Sequence, residues 1–63
     1  MNDYYYIKVN AAFSSVYLNK DNELVETPEN IKIFMNVKDA VEAKRDVRFQ
    51  FAYSFDQVEI KRF

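Results

Sequence analysis

No glycine, histidine or cysteine occurs anywhere in this chain, tryptophan is missing too, and proline appears once. Each absence removes a class of function. Without glycine there is no phosphate-cradling loop of the P-loop or dinucleotide type, because those loops need backbone that a Cβ would block. Without histidine there is no imidazole base and no residue that changes charge near neutral pH in its unperturbed state. Without cysteine there is no thiolate nucleophile and no disulfide, and with both missing the usual zinc cages are excluded.

Sixty-three residues suffice for one domain, spanning 1–63. A chain of that length buries only about 60% of its unfolded surface, so its stability margin is narrow. Disulfides and Cys/His zinc cages being excluded, large core side chains or a partner subunit must supply the rest. Six phenylalanines and five tyrosines supply the first. Nine basic residues against ten acidic ones leave a net charge of −1, which argues against non-specific binding to nucleic acid. The longest apolar run, Tyr4 to Ile7, is far below the roughly 20 residues of a membrane span. Asn2 and Asp3 occupy the place of a basic signal-peptide start, so the expected location is the cytoplasm.

Tyr4-Tyr5-Tyr6-Ile7-Lys8-Val9 has strand composition. Tyr5, Ile7 and Val9 share one face, which Ala11 and Phe13 can extend, while Tyr4, Tyr6 and Lys8 share the other. Val16 and Leu18 fall in the opposite phase, so a turn or bulge is expected between Ala11 and Ser15. Asn19-Lys20-Asp21-Asn22 is a turn signal, and Phe13 to Glu26 reads as a hairpin with strands near 13–19 and 23–26. Ile31 to Phe34 is either a short strand or the first turn of a helix begun by Thr27 and Pro28. Asn36 is a favoured N-cap, and the residues after it predict a helix over about 37–45, with Val37, Ala40, Val41 and the stem of Lys44 on one face. Val47, Phe49, Phe51, Tyr53 and Phe55 alternate with smaller or polar residues, the pattern of a half-buried strand with Phe51 at the centre of the core. The phase shifts once more before Val58 and Ile60, so 47–63 is either one bulged strand or a hairpin; the hairpin is preferred. The fold class is α+β: a small, mostly antiparallel sheet of four to six short strands carrying one helix.

No constellation for catalysis stands out, and neither a catalytic residue nor a cofactor is assigned. Asn19, Asp21 and Glu23 alternate like the start of a calcium loop, but Leu24 stands where the loop's glycine belongs and Asn30 where its bidentate glutamate belongs. An ordinary polar turn accounts for them, and no metal site is assigned. The serines and threonine lack a histidine partner.

The stretch Tyr17-Leu18-Asn19-Lys20-Asp21-Asn22-Glu23-Leu24-Val25-Glu26-Thr27-Pro28-Glu29-Asn30, followed by Ile31 to Lys44, resembles the polar-tipped hairpin, short strand and capped helix of small uncharacterised proteins from phages and prophages of low-GC Gram-positive bacteria. That resemblance implies a host or phage accessory role and assigns no residue roles. The lack of glycine departs from it, since those hairpin tips usually carry one.

The leading expectation is a non-enzymatic module that binds another protein and forms a homodimer. A nine-residue helix about 14 Å long leaves open part of a sheet whose strands run to ~30 Å. Tyr4, Tyr6, Phe49 and Tyr53 are the expected contact residues. The competing expectation is a nucleic-acid-binding accessory protein using Arg45, Arg48, Lys61 and Arg62 beside an aromatic strand face.

Overall fold

Ile7, Val9 and Val58 lose essentially all contact with water, and the fold is arranged around them. The computed structural model describes residues 3–62. Strands β1 (Tyr5–Asn10), β2 (Ser15–Leu18) and β3 (Leu24–Val25) are followed by helix α1 (Val37–Phe51), a 3-10 turn over Phe55–Gln57, and strand β4 (Val58–Arg62). The strands form one antiparallel sheet in the order β3-β2-β1-β4, and α1 lies across β1 and β4. The fold is therefore α+β, as expected. No described helix is long and apolar enough to cross a membrane.

The register decides which side chains meet the helix. Val9 stands opposite Val16 and Val58, and Ile7 opposite Ile60. Partners across a ladder point to the same side, so these residues, with Tyr5, Leu18 and Leu24, form the helix-facing layer. The change of phase between Ala11 and Ser15 is a tight connection in which the Ala11 amide donates to the Ser14 carbonyl at 2.9 Å. Phe13 does not extend the apolar face; it sits at that connection, fully exposed.

Two expectations fail after residue 45. The helix does not stop there: it runs fifteen residues to Phe51, and 47–55 is not a strand. Asn36 starts it as expected, its Oδ1 accepting from the Asp39 amide at 2.9 Å. Nothing between Asn36 and Ala52 breaks a helix, and Ala40, Ala43, Val47 and Phe51 recur at helical spacing. The buried stripe is centred on Ala40 and Val47, rotated from the expected face, so Val37 and Val41 are exposed. Fifteen residues make about 22 Å of helix, enough to cover a six-residue strand of ~20 Å end to end. Phe51 is half-buried at the helix end and packs against the core without being its centre.

Ile31 to Phe34 is neither a regular strand nor a helix. It wedges between the end of β2 and the start of β1. The Lys32 amide donates to the Leu18 carbonyl at 3.0 Å, and Phe34 and Tyr5 exchange two backbone bonds of 2.8 and 2.9 Å. Phe34 is buried by this seam. Residues 47–62 form the helix end, the 3-10 turn and β4, and β4 pairs with β1 rather than with its own predecessor, so the expected hairpin over 47–63 is absent from the described residues.

Candidate interaction surfaces

With α1 on one side of the sheet, the side chains of alternate residues populate the other. Tyr6, Lys8 and Asn10 of β1, Ser15 and Tyr17 of β2, and Glu59 and Lys61 of β4 point there by register. No described helix lies on this face. The Tyr6 and Tyr17 rings are 6.1 Å apart and tilted by 43°. Lys8 stands between Tyr17 and Glu59, and Lys61 stands opposite Tyr6. The Asn10 side-chain amide donates to Glu59 Oε2 at 2.9 Å. That bond holds the Glu59 carboxyl below its ordinary value, with Lys61, Lys8 and Lys44 acting in the same sense and partial desolvation opposing them. Tyr4, immediately before β1, is exposed.

The four expected contact residues are not gathered together. Tyr6 belongs to the helix-free side, and Tyr4 is exposed immediately before β1. Phe49 lies on α1, 76% exposed at the rim of a hollow beside the helix, and Tyr53 packs against the core just beyond the helix. Lys8, Asn10, Ser15, Tyr17 and Glu59 join Tyr6 and Lys61 on this face without having been assigned a role there; for Tyr17 and Lys8 a signal was present in the sequence. Their signal was alternation: Lys8 shares the phase of Tyr4 and Tyr6, and Tyr17 faces Lys8 once the hairpin register is known.

The four basic residues are likewise dispersed. Lys61 alone joins the tyrosine face. Arg62 stands opposite Tyr5 on the helix side, with its guanidinium 4.0 Å from the Asp3 carboxylate. Arg45 is exposed on the helix. Arg48 lies 5.2 Å from the Phe55 ring centre and 5.9 Å from that of Phe49, and Lys44 Nζ sits 3.7 Å above Phe55. These cations are absorbed by aromatic faces on the helix layer, away from the sheet platform.

Hollows open on both flanks of the helix layer. The larger, about 680 Å³, opens between α1 and the β2–β3 half of the sheet, where Leu18, Val47 and Phe49 meet Lys32, Asp46 and Gln50. Lys32 Nζ is engaged there with Asn22 Oδ1 at 2.8 Å. The smaller, about 420 Å³, lies at the outer edge of β4 beneath Lys44 and Phe55. Neither brings together an acid, a base and a nucleophile. At the hairpin tip Asn19 is buried, and its Oδ1 accepts from the amides of Asp21 and Glu23, each at 2.9 Å. The side-chain oxygen that a calcium loop would turn to its ion is committed here to the chain's own backbone.

Comparison with family models, curated proteins and solved structures finds no match to this chain.

Proposed function

We propose that this chain is a non-enzymatic interaction module that acts as a homodimer and binds another protein through the helix-free face of its sheet. The observation that carries this reading is the group formed by Tyr6 and Tyr17 with Lys8, Lys61, Glu59 and Asn10 around them. Rigid tyrosines supply contact area at low entropic cost, and a mixed-charge surround suits a protein rather than a polyanion. A cytoplasmic accessory role of the phage or prophage kind accords with such a module.

A second reading rests on the same face. Lys61 stands opposite Tyr6 and Lys8 opposite Tyr17 across the ladders, so lysines and tyrosines share one face, the elements of a single-strand nucleic-acid platform. Glu59 between the lysines and the dispersal of Arg45, Arg48 and Arg62 weigh against it.

One experiment separates the two. Immobilised protein is used to capture partners from cells of its source, with and without nuclease, alongside a Tyr6→Ser/Tyr17→Ser variant whose fold is checked by circular dichroism. A nuclease-resistant protein retained by the wild type and lost by the variant supports the proposal. A catch abolished by nuclease and weakened steeply by salt replaces it with the nucleic-acid reading.

A further inference from the structure

The exposed edge of β4 has a self-complementary pattern of backbone groups and charges. Tyr5 turns its N–H and C=O towards Phe34, away from β4. Backbone direction alternates along a strand, so Tyr6 and Lys8 turn theirs towards Lys61 and Glu59. On β4 it follows that Glu59 and Lys61 bond inwards to β1. Ile60 and Arg62 then direct their N–H and C=O groups outwards, and Val58 its C=O. Among the described residues nothing accepts or donates along this outer edge. At the other end of the sheet β3 is only two residues long, so β4 is the long open edge.

We infer that two copies of this chain pair antiparallel through β4, about a two-fold axis passing between their Ile60 residues. The inference rests on the homodimeric part of the proposed function and names its interface. In this register Ile60 bonds to its own counterpart through both N–H and C=O, and each Arg62 amide meets the partner's Val58 carbonyl. The intervening pairs then set Glu59 against Lys61 of the partner subunit, twice over. These are the non-hydrogen-bonded positions, where facing side chains approach most closely. Registers centred on Glu59 or Lys61 would set like charges together and align inward-bonding residues. Charged residues commonly keep an edge strand solitary. Here their order, acid then base around a central isoleucine, makes the edge attract its own copy.

The helix layer agrees with this pairing. Because α1 spans β1 and β4, joining the sheets edge to edge sets the two helices about two strand spacings apart, ~10 Å, within the range of packed helices. The flank that overhangs β4 carries exposed apolar side chains beside Lys44 and Arg48, whose charges rest on the Phe55 ring. Val37 and Val41 are 52% and 53% exposed, and Phe55, reached by Lys44 from the same flank, is 60% exposed.

The test uses charge reversal. Glu59→Lys sets a lysine against the partner's Lys61, and Lys61→Glu sets two glutamates together, so each variant alone should dimerise about tenfold or more weakly than the wild type. Mixing the two restores both attractive pairs and should give a heterodimer of near wild-type affinity. Sedimentation equilibrium follows the masses, and circular dichroism checks that each variant is folded. Amide exchange at Ile60 and Arg62 should slow as the wild type dimerises. A wild-type dimer indifferent to both reversals, with no gain on mixing, overturns this interface while leaving homodimerisation standing. A monomer at every concentration up to ~500 μM overturns both.

Discussion

Replacing Ala52 with glycine should stabilise a protein that contains no glycine at all. Ala52 ends α1 with φ 60° and ψ 36°, in the left-handed region, and its amide donates to the Arg48 carbonyl. The Tyr53 amide donates to the same carbonyl at 3.1 Å, so the helix closes only if Ala52 holds this conformation. For an L-residue with a Cβ that conformation costs roughly 1–2 kcal/mol. Glycine avoids the cost but loses more freedom on folding, giving back about 0.5–1 kcal/mol. The methyl group is exposed, so its removal forfeits little packing. The net gain should be about 0.5–1 kcal/mol, which in a domain this small raises Tm by about 2–8 °C. Thermal melts at one fixed protein concentration measure it, and urea titration should move the midpoint without changing the slope. Asn30→Gly, at φ 55°, should gain less, because asparagine already tolerates this region. An unchanged or lowered Tm for Ala52→Gly would refute the left-handed cap as a site of strain.

The centre of the core can be tested by comparing two truncations. Ile7→Ala, at a fully buried site, should cost about 2–5 kcal/mol and leave little of a total of roughly 3–9 kcal/mol. Phe51→Ala, at the half-exposed helix end, should cost less; urea melts showing the reverse order would return Phe51 to the centre. Asn19→Ala strands the amides of Asp21 and Glu23 and should cost about 2–3 kcal/mol, whereas Asn19→Asp keeps the acceptor and should recover most of it. Glu59 has its folded pKa depressed below 4.5, so the stability it contributes is present above the unfolded value and is lost as pH falls through the folded one. Urea midpoints should therefore fall less steeply with acid in Glu59→Gln than in the wild type, and parallel curves would remove this role.

The elements that were legible in the sequence are those fixed by local chemistry. The Asn36 cap, the Asn19 to Asn22 turn and the opposed phases of the first two strands each depend on a few neighbouring residues, and each appears as read. The alternation from Val47 to Phe55 misled because Val47 and Phe51 are four apart as well as both odd-numbered. They satisfy the helical period and the strand period together, while Phe49 and Phe55, which complete the strand pattern, are exposed. The usual helix stop is a glycine, and here alanine occupies the left-handed cap, so the true end carried no composition signal. The seam at Ile31 to Phe34 depends on how β1 and β2 separate, which no local pattern encodes. For the surface, Tyr6 and Lys8 were legible as sharing one face of a strand. Their junction with Tyr17 and Lys61 required the order β3-β2-β1-β4, since both partners come from other strands.

That strand order would also let the proposed assembly and the proposed binding coexist in so short a chain. The core occupies the helix side of the sheet, so the tyrosine side is available without loss of packing. Central β1 carries Tyr6 and Lys8, while the edge strand β4 carries the alternating charges Glu59 and Lys61. Edge pairing through Ile60 uses outward backbone groups in the plane of the sheet and covers neither tyrosine. It would extend the open face to eight strands, with the two Tyr6 positions three strand spacings and two residues of offset apart, about 16 Å. Glu59 would then sit between Lys8 of its own chain and Lys61 of the partner subunit, so the same carboxylate would serve both the proposed binding face and the proposed interface. A partner spanning both copies gains effective concentration for its second contact. On this reading the missing glycine, histidine and cysteine are consistent with a chain whose function lies in the geometry of one sheet, its face for binding and its edge for assembly.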